Sequence, residues 1–345
     1  MKEIGIYISY PNTFWNHGGG ETVFKKTIEY GSMNKNFNFI KISSPEIKKP
    51  DLLHIIGSNH HVEGLGNTAK NLGIKVVVSS IWFSKYSNLI LSLSKIAKYF
   101  PLDNVYKQRL DVFKNADIII ANSQIEKKQV NLAFNIDNKK IKVIHLGVDD
   151  SFYRKKDLFS FEEKYGVRDY ILCVARIYRR KNQVMVADIA ESIGRDVVFI
   201  GSLDPSDLQY QNDFKGKINA INKRKRIKAV WINTVPHDSD ILKSAYKNAA
   251  VHVLASQNEF PGLSSLEAGI SGTNIVVAEA PTVREYFGNY AYYCKYNNRN
   301  SIKNAIEEAL SNKKKAVELQ MYLLNTHTWQ NYINKVIKIY NQLLF

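Results

Sequence analysis

The chain has 345 residues, 45% hydrophobic and 23% charged, with a formal net charge of +16 from 48 basic and 32 acidic residues. That length suits two domains with a core each, and that composition is the one of a soluble globular protein. No run approaches ~20 apolar residues, which excludes a membrane-spanning helix, and the excess positive charge implies anionic partners.

The opening residues, MKEIGIYISY, read as a first strand and not as a secretory leader. Apolar runs at 4–9, 39–42, 52–56, 75–80, 118–121 and 142–145 predict strands. Segments 22–30, 69–72, 105–114 and 124–133 predict the helices between them. After an irregular charged stretch at 149–163 the pattern restarts. Strands are expected at 170–175, 197–200, 228–232, 251–254, 274–277 and 291–294, and helices at 182–193, 239–248, 264–269, 283–287 and 302–310. Residues 329–344 are amphipathic at helical spacing. Strands alternating with helices specify an α/β protein with parallel sheets. Cys173 and Cys294 both lie in apolar, strand-like segments and read as buried reduced thiols of a cytoplasmic protein. No Cys/His cluster has metal-ligand spacing, so no metal is expected. The basic cluster at 223–228 reads as a solvated helix end or loop.

The segment with most chemistry is EFPGLSSLE at 259–267. Glu259 falls on a strand-to-helix loop and Glu267 about two turns inside the following helix. The amides of Gly262, Leu263 and Ser264 fall at the helix start, whose unsatisfied N–H groups suit a phosphate. A carboxylate on either side of that phosphate can hold a diol, and a phosphate flanked by two diols describes a sugar nucleotide. The pair also reads, with equal ease, as a loop Glu and a surface Glu on a helix. Near the start, His17 and three glycines, Gly18, Gly19 and Gly20, precede Glu21 and open a helix. Such glycines let a backbone approach a diphosphate, or simply make a turn. Arg176 and Lys181 flank the loop ARIYRRKN after strand 170–175, with Arg179 and Arg180 read as solvent-facing.

Taken in order along nearly the whole chain, these segments resemble the signatures of retaining glycosyltransferases of the family-4 branch of the GT-B superfamily (glycosyl transferases group 1). HGGGE at 17–21, ANS at 121–123, VIHLGVD at 143–149, ARIYRRKN, WINTVP at 231–236, the E-x7-E pair and Glu285 in PTVREYFG carry the resemblance. It implies two Rossmann-like doubly wound domains facing across a cleft: residues 1–160 on the acceptor side, 161–327 binding the donor, and a helix at 328–345 packing back on the first. It implies transfer of a sugar, a hexose above all, from a nucleoside diphosphate sugar to a hydroxyl of a glycan or lipid-linked acceptor, with retention at the anomeric carbon; the richness in Asn, Lys, Ile and Tyr is that of AT-rich bacterial genes, as in surface-polysaccharide synthesis. In that scheme Arg176 and Lys181 clamp the diphosphate, and Glu259 orients the donor sugar. Glu267 holds the ribose, backbone groups from Asn233 to Val235 meet the base, and Gly19 and Gly20 shape the first domain's wall. Fixed cations can stabilise the leaving group without a metal, and no Asp-x-Asp motif is present. Glu285 itself reads as a surface acid on its helix.

One family feature is absent. Where relatives carry a His after strand 75–80, this chain has Ile81, Trp82 and Phe83. His54, His60 and His61 lie near another strand end and read as structural or solvent-exposed, with one of them facing the cleft as the alternative. A sugar-nucleotide epimerase of the same superfamily and a basic membrane-binding module are the alternative functions; nucleic acid is not expected as a partner. Finally, Leu89, Leu93, Ile96 and Phe100 form an apolar stripe at 86–100 with Lys95 and Lys98 off it. The stripe reads as a core-facing helix, or as one lying on an anionic membrane at the inner face of the plasma membrane.

Overall fold

The computed structural model describes residues 1–9, 18–42, 48–84, 86–99, 103–153, 161–312 and 314–345. They form two compact units, Met1–Gly147 with Trp329–Phe345, and Val148–Thr328. The first holds strands β1 (Lys2–Ile8), β2 (Phe37–Lys41), β3 (Leu52–Ile56), β4 (Lys75–Ser79), β5 (Ile118–Ala121) and β6 (Ile141–Val143). They make one all-parallel sheet in the order β2-β1-β3-β4-β5-β6. The second holds β7 (Tyr170–Val174), β8 (Val197–Ile200), β9 (Ala229–Ile232), β10 (Ala249–Leu254), β11 (Asn274–Ala278) and β12 (Tyr292–Cys294). Its sheet is also all parallel, in the order β12-β11-β10-β7-β8-β9.

A parallel sheet is covered on both faces, so its strands are continuous apolar runs. All residues of β3, β5, β8 and β11 are buried. Cys173 and Cys294 are free thiols in the core of the second unit, and burial pushes both up to about 12. The helices Leu208–Arg224 and Lys314–Thr326 have no counterpart in the sequence expectations. The first buries only Tyr210, Phe214, Ile218 and Ile221 along a polar sequence, and the second only Ala316, Leu319 and Leu323. Such thin stripes carry little signal above their charged surroundings.

The division falls at Val148, ahead of the expected 160/161 boundary. The reason is aromatic packing. Phe152 lies edge-on to Tyr246 at 5.6 Å and Phe161 sits 5.2 Å from Tyr170, so both phenylalanines belong to the second unit's core. The last helix, Trp329–Leu344, belongs to the first unit and packs on the helix Gly19–Gly31. Its Tyr340 Oη shares a hydrogen bond with His54 Nδ1 at 2.6 Å, and His54 Nε2 lies 2.9 Å from Ser79 Oγ. His54 is therefore structural.

Burial lowers the His54 imidazole to about 3, and also His252 on β10, where Lys181 adds to the effect. Both fold neutral, whereas the unfolded chain protonates them near 6.5. The unfolded state thus binds more protons between those values, and stability is present above pH 6.5 and lost as pH falls below it. Each histidine should cost about 1.4 kcal/mol between pH 7.5 and 5.5, above the range where carboxylates titrate. Urea denaturation of the wild type at the two pH values should show this loss, and His252→Leu should remove the second unit's share. A pH-independent midpoint over that range would contradict it.

Candidate functional site

Counted from β7, the second sheet has the order 6-5-4-1-2-3, so the chain reverses direction across the sheet between β7 and β10. In open parallel sheets, ligands bind outside the carboxyl ends of the strands at that switch point. The loops that follow β7 and β10 carry the residues singled out in the sequence.

The loop after β7 is fixed by the backbone. Gly201, at the end of β8, has φ of +153°, and a Cβ there would lie 2.0 Å from Ala175 O, so only glycine lets the two strand ends close up. Ile177 N donates to Ser202 O at 2.8 Å and Asp204 N to Ile177 O at 3.0 Å. Arg176 is held from both ends: its carbonyl accepts from buried Gln183 Nε2 at 2.8 Å, and its Nη1 lies 3.5 Å from Asp204 Oδ2. Asn182, in the left-handed region at φ 65°, ends the short turn Arg179–Lys181 and opens the helix Gln183–Ile193.

The loop after β10 meets it. Lys181 Nζ forms an ion pair with Glu259 Oε1, with only 14% and 10% of the two side chains exposed. Arg180 Nη1 donates to Asn258 O at 3.2 Å, and Gln257 N donates to Arg180 O at 2.9 Å. Arg180 is thus half-buried and stitches the two loops together, a correction to its solvent-facing reading. Arg179 does face solvent, over Tyr210 and paired with Asp207. Gly262, at φ 91°, begins the helix Leu263–Ile270; a Cβ there would come 2.7 Å from Leu254 Cδ2 and 3.3 Å from Glu259 Oε2. Its carbonyl accepts from Ser265 N, leaving the amides of Leu263 and Ser264 at the open end of the helix.

Glu267 is the fifth residue of that helix, little more than one turn in and not two. It is 5% exposed, so it is no surface acid. Tyr246 Oη donates to Glu267 Oε2 at 2.7 Å, and His237 Nε2 lies 2.7 Å from Oε1. Burial holds the Tyr246 hydroxyl well above its ordinary range, with the Glu267 charge adding to it, so the phenol stays a donor. Phe152 packs edge-on against both His237 and Tyr246, at 5.5 and 5.6 Å. Asn233 is exposed and Val235 half-buried on the loop that follows β9. That loop also brings His237, which no motif in the sequence marks.

The remaining candidates lie elsewhere. Gly19 and Gly20 begin the helix Gly19–Gly31 of the first unit, behind Gly18, whose N–H donates to Glu21 Oε2 at 2.7 Å. His17 lies outside the described residues. Glu285 is half-buried on the helix Pro281–Phe287. At the end of β4, Ile81 has φ of +38°, a strained value for a β-branched residue. Buried Glu126 holds this turn: its Oε1 accepts from Ser80 Oγ at 2.6 Å and Trp82 N at 2.7 Å, and its Oε2 from Asn122 N at 2.7 Å. Glu126 thus ties the turn at Ile81 and Trp82 to the backbone at Asn122. The Arg109 guanidinium lies 5.9 Å from the Trp82 ring and its Nε donates to Ser58 O at 2.8 Å.

The family profile described as Glycosyl transferases group 1 matches residues 154–324, and that described as Glycosyltransferase Family 4 matches residues 21–152. The chain belongs to the family-4-like GT-B glycosyltransferases. An uncharacterised glycosyltransferase of Methanocaldococcus jannaschii is 25% identical over 255 residues, covering 67% of this chain and 61% of that one. The D-inositol 3-phosphate glycosyltransferase of Mycobacteroides abscessus is 25% identical over 171 residues, 48% of this chain and 38% of the relative. The chain thus matches less than two thirds of the length of these relatives. Among solved structures, a glycosyltransferase from Rickettsia africae aligns with a TM-score of 0.76 at 16% identity over 99% of each chain. Anabaena HepE in complex with UDP aligns with a TM-score of 0.74 at 14% identity, over 99% of this chain and 100% of that one. At such identities the likeness is one of fold.

Tyr246 holds the buried Glu267 carboxylate through a single hydroxyl. Tyr246→Phe should therefore lower the stability of the second unit by about 1–3 kcal/mol, measured by urea unfolding at pH 7.5. An unchanged midpoint would mean that Glu267 does not depend on this hydrogen bond.

Proposed function

We propose that the chain transfers a sugar from a nucleoside diphosphate sugar to an acceptor hydroxyl, with retention at the anomeric carbon. The observation that carries this reading is the meeting of Lys181, Glu259 and the start of helix Leu263–Ile270 at the switch point of the second sheet. The diphosphate sits against Lys181, Arg176 and the amides at that helix start. Glu259 accepts hydrogen bonds from the sugar hydroxyls and Glu267 from the ribose diol, while the base lies at Asn233–Val235. The bond from the anomeric carbon to the phosphate oxygen breaks, the acceptor oxygen attacks on the same face, and its proton passes to the departing phosphate. Charge grows on that phosphate as the bond breaks, and fixed cations stabilise it with no reorganisation. No metal is needed, because Lys181, Arg176 and the helix start supply the positive charge. Anabaena HepE has been solved with UDP and with UDP-glucose, which supports a sugar-nucleotide donor here.

Released nucleoside diphosphate, followed over a panel of sugar nucleotides with and without glycan and lipid-linked acceptors, tests the reading. Lys181→Gln and Glu267→Gln should each lose ~2–4 kcal/mol of transition-state stabilisation, roughly 30- to 1,000-fold in rate. Turnover should persist in excess EDTA. Wild-type rates in both folded variants would remove the donor assignment, an absolute need for Mg²⁺ or Mn²⁺ would remove the metal-free one, and an isomerised donor without transfer would favour the epimerase.

The acceptor we propose is a glycan or lipid-linked glycan of bacterial surface polysaccharide, met at an anionic membrane on the cytoplasmic side. The support is an exposed apolar cluster in the first unit. The helix Asn88–Leu93 passes into a 3-10 turn, Ser94–Tyr99, and buries Leu91. Leu89, Leu93 and Ile96 are 70%, 55% and 55% exposed, joined by Tyr86, Ile90 and Tyr99. The stripe is therefore not core-facing, although its Phe100 lies outside the described residues. Among the described residues no helix is long and apolar enough to cross a membrane. Flotation with vesicles containing phosphatidylserine should retain the wild type at physiological salt and lose Leu89→Ser plus Leu93→Ser. No flotation, or equal flotation of both, would leave the acceptor without this membrane contact.

A further inference from the structure

The Glu259 carboxylate lies where the donor's diphosphate is to sit. One oxygen is on Lys181, and the other is beside Gly262 at the helix start, 3.3 Å from the point a Cβ would occupy. These are the cation and the helix end that the donor reading gives to the phosphates. The backbone behind the carboxylate is pinned: Thr282 Oγ1 donates to Glu259 O at 3.1 Å, and Arg180 holds Asn258 O. The carboxylate can then leave by side-chain rotation while the loop stays in place.

Resting on that reading, we infer that Glu259 is an internal anion that competes with the nucleoside diphosphate for Lys181, and so sets the difference in affinity between donor and product. Both side chains are largely buried, and displacing one partner of such a pair leaves a charge without compensation. A sugar nucleotide supplies that compensation, since its sugar hydroxyls donate to the displaced carboxylate. A bare nucleoside diphosphate supplies none. Glu259 therefore tolerates the intact donor and opposes the product, which leaves as the carboxylate returns to Lys181. Specificity here comes from a repulsive element as well as an attractive one.

The test is calorimetric titration of UDP, GDP and ADP, and of the matching sugar nucleotide, into wild type, Glu259→Gln and Glu259→Ala, with folding checked by near-UV circular dichroism. Both variants should bind the bare diphosphate about tenfold more tightly than wild type, because a competing charge is gone. They should bind the sugar nucleotide no more tightly, and their turnover should fall. Glu259→Ala also removes any hydrogen bond the Gln amide makes to Lys181, so it decides if Glu259→Gln does not fold. Wild-type binding of a diphosphate with equal or weaker binding by the variants overturns this inference and leaves the donor site standing. Binding of no nucleoside diphosphate by any of the three overturns the donor reading and this inference with it.

Discussion

The Lys181–Glu259 ion pair is the contact on which the second unit's site depends. It joins the loop that follows β7 to the loop that follows β10, the two places a parallel sheet of this order leaves open. Neighbouring bonds from Arg180 to Asn258 and from Gln257 to Arg180 fix the register of the two loops. Because the pair is shielded from water, its charges are not screened as surface charges would be, and each fixes the position of the other. The carboxylates at 259 and 267 are equally engaged, one by a lysine and one by Tyr246 and His237. The site is compensated internally, and a ligand has to exchange partners rather than fill unpaired groups.

The first unit uses a buried carboxylate differently. Glu126 accepts from three groups around the turn at Ile81 and so holds a backbone conformation a β-branched residue resists. His54 stands apart from this: enclosed by Tyr340 and Ser79, it ties the last helix to β3 and β4.

Much of this was legible in the sequence. Twelve apolar runs named the twelve strands found among the described residues, because strands covered on both faces cannot hide among polar residues. Helices with thin stripes, such as Leu208–Arg224, were not legible, since one apolar residue per turn is lost among charges. The motif order named the family, and placed Glu259, Arg176 and Lys181 on loops after strands and Glu267 inside the following helix. His237 was invisible, because its meeting with Glu267 joins residues thirty positions apart through a loop with no pattern of its own.

The sequence alone determined the α/β class, the two units and which loops carry the charged residues, because periodicity and local turn chemistry are written along the chain. Only the tertiary structure decided which charges pair. The sequence offered Lys181 to a phosphate and Glu259 to a sugar; folding brings them to each other. It showed Arg180 as solvent-facing and Glu267 as a residue that a surface could equally hold, and packing buries both to different ends. Pairing depends on separations of a few ångströms between distant segments, and the order of strands in the sheet sets those separations.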